Sequence, residues 1–271
     1  IRCFSEKTSI GADHLKLRGL ELLPDFVLSP LGQLFAKFMT QVQLPMSSLV
    51  AALSLIGKKN GGFRTIACLP SWYRLLLRLL SDDFRLFDAE IGDEGDTALA
   101  GRHAEASIFE EGVRMEIAAL KGLAHATLLW DYSTFFDSIP IGPVVDQFIQ
   151  LKGPLHALAA SLAGHTCPRL LKVSGGVSKT ISNFGRSIVA GCTSSTSAAR
   201  VIVKIPLDAA KEASNGKVRR KVHVDDVSQR AEGKSNKVLK WLMEAGSTFI
   251  TKSKELNLIF SNKSTILASS R

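Results

Sequence analysis

KVHVDDVSQ, residues 221–229, is the stretch on which the reading of this chain turns. Two β-favouring runs, 221–224 and 227–229, flank the adjacent carboxylates Asp225 and Asp226, a pattern that predicts a hairpin with both acids at its tip. Two like charges in a half-buried hairpin are costly unless something positive neutralises them. The neutraliser that suits hard carboxylate oxygens is a divalent cation, Mg²⁺ or Mn²⁺. Taken alone, an Asp-Asp pair is more often a solvated turn, because Asp is a common turn residue. The rest of the chain has to decide between these readings.

Working outward, composition sets the limits. The chain has 271 residues, 45% of them apolar, enough for one large domain or two closely packed ones. Lys and Arg outnumber Asp and Glu by 34 to 25, and the net charge of +9 suits an anionic partner, nucleic acid before a membrane surface. Cys3, Cys68, Cys167 and Cys192 are scattered and form no CxxC pair, so reduced thiols, a nuclear or cytoplasmic setting and no structural zinc are expected. His165 with Cys167 is too sparse for half a metal site. No apolar run reaches a membrane span and no amino-terminal signal pattern is present. The missing initiator Met points to a fragment.

In chain order, 31–55 carries apolar residues at helical spacing, with Pro45 dividing a helix from an extended run. Asn60-Gly61-Gly62 joins two strand-like runs, which places Lys58, Lys59 and Arg64 near one hairpin end, a clamp suited to phosphate oxygens. Ser71 opens a basic helix with Arg74 and Arg78 four apart. The acidic, Gly-containing stretch 81–101 reads as a loop region, and 104–120 as a helix. Residues 126–131 read as a buried strand ending on Asp131, with aromatics shortly after in YSTFFDSI, 132–139. A carboxylate at a strand's carboxyl end suits a metal ligand; a cap for the following turn is the plainer alternative.

A helix over 144–163 broken by Gly153-Pro154, a hairpin over 170–188 bending near Gly175-Gly176, and a helix entered through GCTSSTS, 191–197, follow. Residues 176–180, GVSKT, lack the glycine and spacing of a phosphate loop. A helix over 235–256 and a final run, 257–267, close the chain.

Five segments in this order resemble the reverse transcriptase domain of non-LTR retroelements and group II intron relatives: GGFRTIACLP (61–70), DYSTFFDSI (131–139), the Gly191-Cys192 turn before a helix, HVDD (223–226) and LNLIFSNKSTIL (256–267). The resemblance runs from about Leu31 to Ser269. It implies an α+β right-hand polymerase fold, with an antiparallel palm sheet in a split βαβ arrangement backed by helices, and mostly helical fingers. Residues 1–125 would form the fingers with the connection to the palm, and 126–271 the palm, in one continuous domain with the thumb absent.

The same resemblance implies that Asp131, Asp225 and Asp226 are the metal-binding, catalytic carboxylates of the palm. Asp131 and Asp225 would bridge two Mg²⁺ (or Mn²⁺) ions about 3.5–4 Å apart, with Asp226 a supporting ligand. Phe136 falls on the steric gate that excludes a ribose 2′-hydroxyl, with core packing its alternative, and Asp137 is no ligand. Arg64, with Lys58 or Lys59, matches the residues that grip the incoming triphosphate. Lys263 matches a lysine assisting the leaving pyrophosphate, and Gly191 the turn under the templating base pair. The implied activity is RNA-templated DNA synthesis from dNTPs on a DNA primer with an RNA template and no membrane. An RNA-dependent RNA polymerase and an inactive nucleic-acid-binding remnant are the alternatives. Ala190, Thr193-Ser194, His223 and Thr65 depart from the family's usual residues, but none removes a metal ligand.

Overall fold

Apolar residues three and four apart, and β-branched or aromatic residues in alternation, build the elements of this computed structural model in the order that local pattern dictates. It describes residues 1–269 apart from 7, 9, 12, 42, 43, 59, 60, 174, 175, 183 and 184, and apart from the side chain of residue 64. Along the chain run α1 (Asp25–Gln41), β1 (Ala51–Gly57), β2 (Phe63–Cys68), α2 (Ser71–Leu79), α3 (Ser81–Ile91), α4 (Ala104–Leu120), β3 (Ala124–Trp130), α5 (Phe135–Ser138) and α6 (Ile141–Gln150). They are followed by α7 (Leu155–Thr166), β4 (Arg169–Val173), β5 (Gly176–Val177), α8 (Ser195–Ala213), β6 (Arg219–His223), β7 (Asp226–Gly233), α9 (Ser235–Glu255) and β8 (Thr265–Ala268). Among the described residues no helix is long and apolar enough to cross a membrane.

The chain divides into two compact units, Ile1–Phe87 with Phe148–Ser195, and Asp88–Gln147 with Thr196–Arg271. The division is interleaved, each unit drawing on two separate stretches of the chain. Each unit closes around its own sheet.

The first unit holds a mixed sheet in the order β2-β1-β4-β5, with β1 antiparallel to β2 and parallel to β4. The β1–β2 hairpin forms as expected. Its end is closed by the Lys58 N–H donating to the Gly62 carbonyl (3.0 Å), and Gly61 and Gly62 take the left-handed φ of +87° and +78° that the turn requires. Lys59 and Asn60 of that turn, and Gly175 of the expected 170–188 bend, lie outside the described residues. The core gathers on Tyr73 of α2, whose hydroxyl donates to the Ala160 carbonyl (2.8 Å) and accepts the Gly164 N–H (3.0 Å).

One element corrects the sequence reading. The stretch 81–101, expected as a loop region, forms helix α3 over Ser81–Ile91. Asp82 and Asp83 in its first turn complement the positive end of the helix dipole. Phe84 and Phe87, one turn apart and both buried, meet Phe148, with ring centroids 6.3 and 4.8 Å away. The helix rests on that long-range aromatic contact, which a local count of charges and glycines does not reveal.

The second unit holds an antiparallel sheet in the order β6-β7-β3-β8. In chain order its strands are β3, β6, β7 and β8, and β3 pairs antiparallel with both β7 and β8. Helix α9 buries Leu242, Ala245 and Phe249, and a Cβ on Gly246 would stand 2.9 Å from Leu128, so glycine lets helix and strand approach. Beside β6 lies the segment 93–97, joined to it by the Val222 N–H to the Gly95 carbonyl and the Thr97 N–H to the Val222 carbonyl, both 2.9 Å. A Cβ on Gly95 would stand 2.0 Å from the Arg220 carbonyl oxygen. Gly95→Ala is therefore expected to destabilise the protein by about 1–3 kcal/mol through overpacking. A lower urea midpoint at unchanged slope is the measurement that checks it.

Candidate active site

Strand register brings the carboxylates to one end of the second unit's sheet. Trp130 is the last residue of β3 and pairs with Val227 of β7, so the next step of that antiparallel register sets Asp131 opposite Asp226. His223 pairs with Asp226 across the β6–β7 hairpin, leaving Val224 and Asp225 as its two-residue turn. The acidic hairpin is thus present, with Asp225 in the turn and Asp226 opening β7. Val224 takes φ +62°, a left-handed conformation that costs a β-branched residue about 1–2 kcal/mol or more, and the turn holds it there.

Asp225 is half-buried, and burial pushes its carboxyl above the usual carboxylate range. The negative charges of Asp226 and Asp131 add to that rise, while a backbone hydrogen bond and His223 oppose it. Asp131 and the distant pair Asp225-Asp226 therefore share one electrostatic environment. Among the described residues no group of three His, Cys, Asp or Glu side chains stands ready to hold a metal. The donor set nevertheless fits a hard divalent cation in chemistry, because its oxygens are carboxylate and the mutual repulsion at Asp225 is what a cation relieves.

A second loop is fastened to Asp131. The Ser261 N–H donates to the Asp131 carbonyl (2.7 Å), and the Asp131 N–H donates to Ser264 Oγ (3.2 Å). The Ser264 N–H closes a turn on the Ser261 carbonyl (3.1 Å), and this turn carries the exposed Lys263. Both backbone groups of Asp131 are thus held by the SNKS segment. Ser261 and Ser264 went unremarked in the sequence reading; serines at both ends of a four-residue turn were the available signal.

Phe136 lies in the short helix α5, entered through Thr134 at φ +46°. The entry turns Phe135 into the core, stacked on Tyr132 at 5.2 Å, and leaves Phe136 half-exposed and edge-on to Phe135 at 5.5 Å. His223, one of the departures noted above, is exposed and shares a hydrogen bond with Thr97 through Nδ1 (3.0 Å). Thr97, on the segment beside β6, is a second contact that sequence reasoning missed.

The remaining sequence-derived candidates belong to the first unit. Lys58 is exposed at the β1–β2 turn, and Arg64 lies on β2 opposite Ile56. Gly191, at φ +89°, occupies a turn closed by the Cys192 N–H on the Val189 carbonyl (3.2 Å). The second unit accordingly groups Asp131, Asp225, Asp226 and Lys263, with Phe136 five residues beyond Asp131 on the chain.

No family pattern of known proteins matches the sequence. No curated protein matches it either. Among solved structures the fold is similar to that of apo telomerase from Candida tropicalis truncated from its C-terminal domain, with a TM-score of 0.57 and 10% sequence identity. The likeness covers 83% of this chain and 51% of that one, so this chain spans about half the length of the structure it matches. At that identity the likeness concerns the fold alone: a mixed α+β architecture whose second sheet is antiparallel carries the carboxylates described here.

Proposed function

We propose that this chain is the fingers and palm of a reverse-transcriptase-type polymerase and that its chemistry is RNA-templated addition of deoxynucleotides to a primer 3′-hydroxyl. The observation that carries the reading is that Asp131, Asp225 and Asp226 lie at one end of the sheet β6-β7-β3-β8, where burial first and then the charges of Asp226 and Asp131 make an ionised Asp225 costly. The polymerase-like fold supports it, as do the five sequence segments in family order. In this reading the palm is the sheet β6-β7-β3-β8 with its helices, and the basic β1–β2 hairpin belongs to the fingers.

Asp131, Asp225 and Asp226 would hold two Mg²⁺ or Mn²⁺ ions, which supply charge neutralisation and a more acidic hydroxyl at a reacting phosphate. The chain's own residues do the rest. The Ser261–Ser264 turn fixes the backbone of Asp131 and sets Lys263 in solvent, where its ammonium is suited to a leaving pyrophosphate. Lys58, Lys59 and Arg64 supply positive charge for a triphosphate, and Gly191 leaves a turn open to a templating base pair. Template and primer would be held through phosphates and sugars, with sequence read by base pairing.

Primer extension tests the proposal, on RNA and DNA templates with deoxy- and ribonucleotides. Mg²⁺-dependent extension with deoxynucleotides on RNA supports it. Nucleic-acid binding without extension replaces it with an inactive binding remnant. The half-exposed ring of Phe136 makes a further prediction: Phe136→Ala is expected to raise use of ribonucleotides relative to deoxynucleotides by about tenfold or more, because a steric block is lost. An unchanged ratio of kcat/KM values removes the gate assignment and opens the RNA-polymerase alternative.

A further inference from the structure

Helix α4 is fastened to the sheet of its own unit along one side. Lys221 of β6 donates through Nζ to the Ser107 carbonyl (2.7 Å) and to Glu110 (3.1 Å). Arg230 of β7 donates through Nη1 to the Glu111 carbonyl (3.2 Å) and to the Glu111 carboxylate. Ala118, two turns further on, is buried. Ser107, Glu111, Arg114 and Ala118 follow one another at intervals of four, three and four, so they share one face of the helix, and that face is the inward one.

The outward face carries a second periodic set. Ala106, Phe109, Val113, Ile117 and Leu120 also recur every three or four residues, and all five are exposed, Phe109 at 74% and Leu120 at 88%. On the same outward side nothing lies within 4 Å of the position a Cβ would take on Gly112. The stripe runs along roughly 20 Å of helix. Its spacing is that of a coiled-coil seam, whereas apolar residues left on a surface by chance are scattered singly. A helix with one face on its own sheet and an apolar seam on the other is built to receive another element.

The charges beside the stripe select what covers it. Glu105 and Glu116 line one edge, both exposed and outside every ion pair among the described residues. At the other edge Glu110 is already held by Arg114 (2.7 Å) and Lys221 (3.1 Å). An anionic membrane or a polynucleotide would meet the free carboxylates with like charge. A second copy of α4 would set acid against acid, because Arg114, the one basic residue of the helix, is engaged. We propose that this stripe docks an amphipathic helix of a protein partner, whose apolar side chains fill the seam and whose Lys or Arg side chains meet Glu105 and Glu116. The surface lies on α4 and is independent of the polymerase reading.

The test is fluorescence anisotropy with two labelled synthetic helices of about four turns, both with Leu at the seam positions, one with Lys and the other with Glu beside them. The Lys peptide is expected to bind at least about tenfold more tightly than the Glu peptide, and Glu116→Lys should narrow or invert that preference. Phe109→Ala and Leu120→Ala should each weaken the Lys peptide about tenfold, the effect of truncating an apolar anchor. Both positions are exposed, so the Tm should stay at the wild-type value, which separates lost docking from lost folding. Leu239→Ala, at an exposed leucine of α9, should leave binding unaltered. No binding of the Lys peptide, equal binding of the two peptides, or a loss shared by Leu239→Ala overturns the proposal. Sedimentation of the protein alone and flotation with phosphatidylcholine vesicles, with and without phosphatidylserine, form the second arm. Self-association or vesicle binding that Leu120→Ala abolishes would assign the stripe to a second copy or to a membrane instead, and overturns the partner helix.

Discussion

Asp225→Asn is expected to abolish primer extension, lowering kcat by at least about 10²–10³-fold, the scale on which loss of one preorganised charge at a reacting centre is felt. The same substitution should leave Tm unchanged or slightly raised. Ionised Asp225 is half-buried beside Asp226 and Asp131, so an amide of the same shape removes repulsion without removing volume. The pH dependence carries the sign. A carboxyl whose folded pKa lies above its unfolded value stabilises the fold fully below the unfolded value and loses that contribution as pH rises through the folded one. Wild-type stability should therefore gain, between those two values, an increment on acidification that Asp225→Asn lacks. Thermal melts of both proteins across the acidic range check this, and a variant that loses activity by unfolding would show the opposite Tm change.

The largest stability effect is expected at Arg200 of α8. Its Nε lies 2.5 Å from Asp96 and its Nη1 2.6 Å from Asp88, and all three side chains are largely buried. Ser197 Oγ donates to the same Asp88 oxygen (2.8 Å), and Asp96 accepts the Ala98 N–H (2.9 Å). One guanidinium thus ties together α8, the end of α3 and the segment that lies beside β6. Arg200→Met keeps most of the side-chain volume but leaves two buried carboxylates without a cation, a change that costs about 3–5 kcal/mol. Burial already raises the Asp88 pKa with Arg200 in place, and its loss should raise it further. The deficit should accordingly shrink as pH falls and the orphaned carboxyls take up protons. Urea unfolding of wild type and variant at neutral and mildly acidic pH measures both the cost and its direction.

These two sites show how differently parts of this protein were legible. Asp225 and Asp226 announced themselves locally: a β-favouring run, two acids, another β-favouring run, and the hairpin formed with one acid in its turn and the other opening β7. Helix α4 over Ala104–Leu120 and the α6–α7 break at Gly153-Pro154 were equally readable, because helical periodicity and chain-breaking residues act within a few residues. The Arg200 network was not readable. Its Asp96 partner lies 104 residues away in the chain, and no local pattern marks an arginine in a helix as buried.

The sequence by itself determined the elements and the chemical types at the site: the β1–β2 and β6–β7 hairpins, the helices that carry an apolar face, and an acid at the end of β3. Periodicity and turn chemistry are short-range properties, and they are written in consecutive residues. The tertiary structure alone decided which of those residues meet. It made a helix of Ser81–Ile91 by supplying Phe148 to Phe84 and Phe87, fastened Asp131 to Ser264 across 133 residues, and interleaved the chain into two units. Such contacts arise when distant apolar surfaces are buried together and the polar groups carried with them must find partners, a requirement that no single stretch of sequence displays.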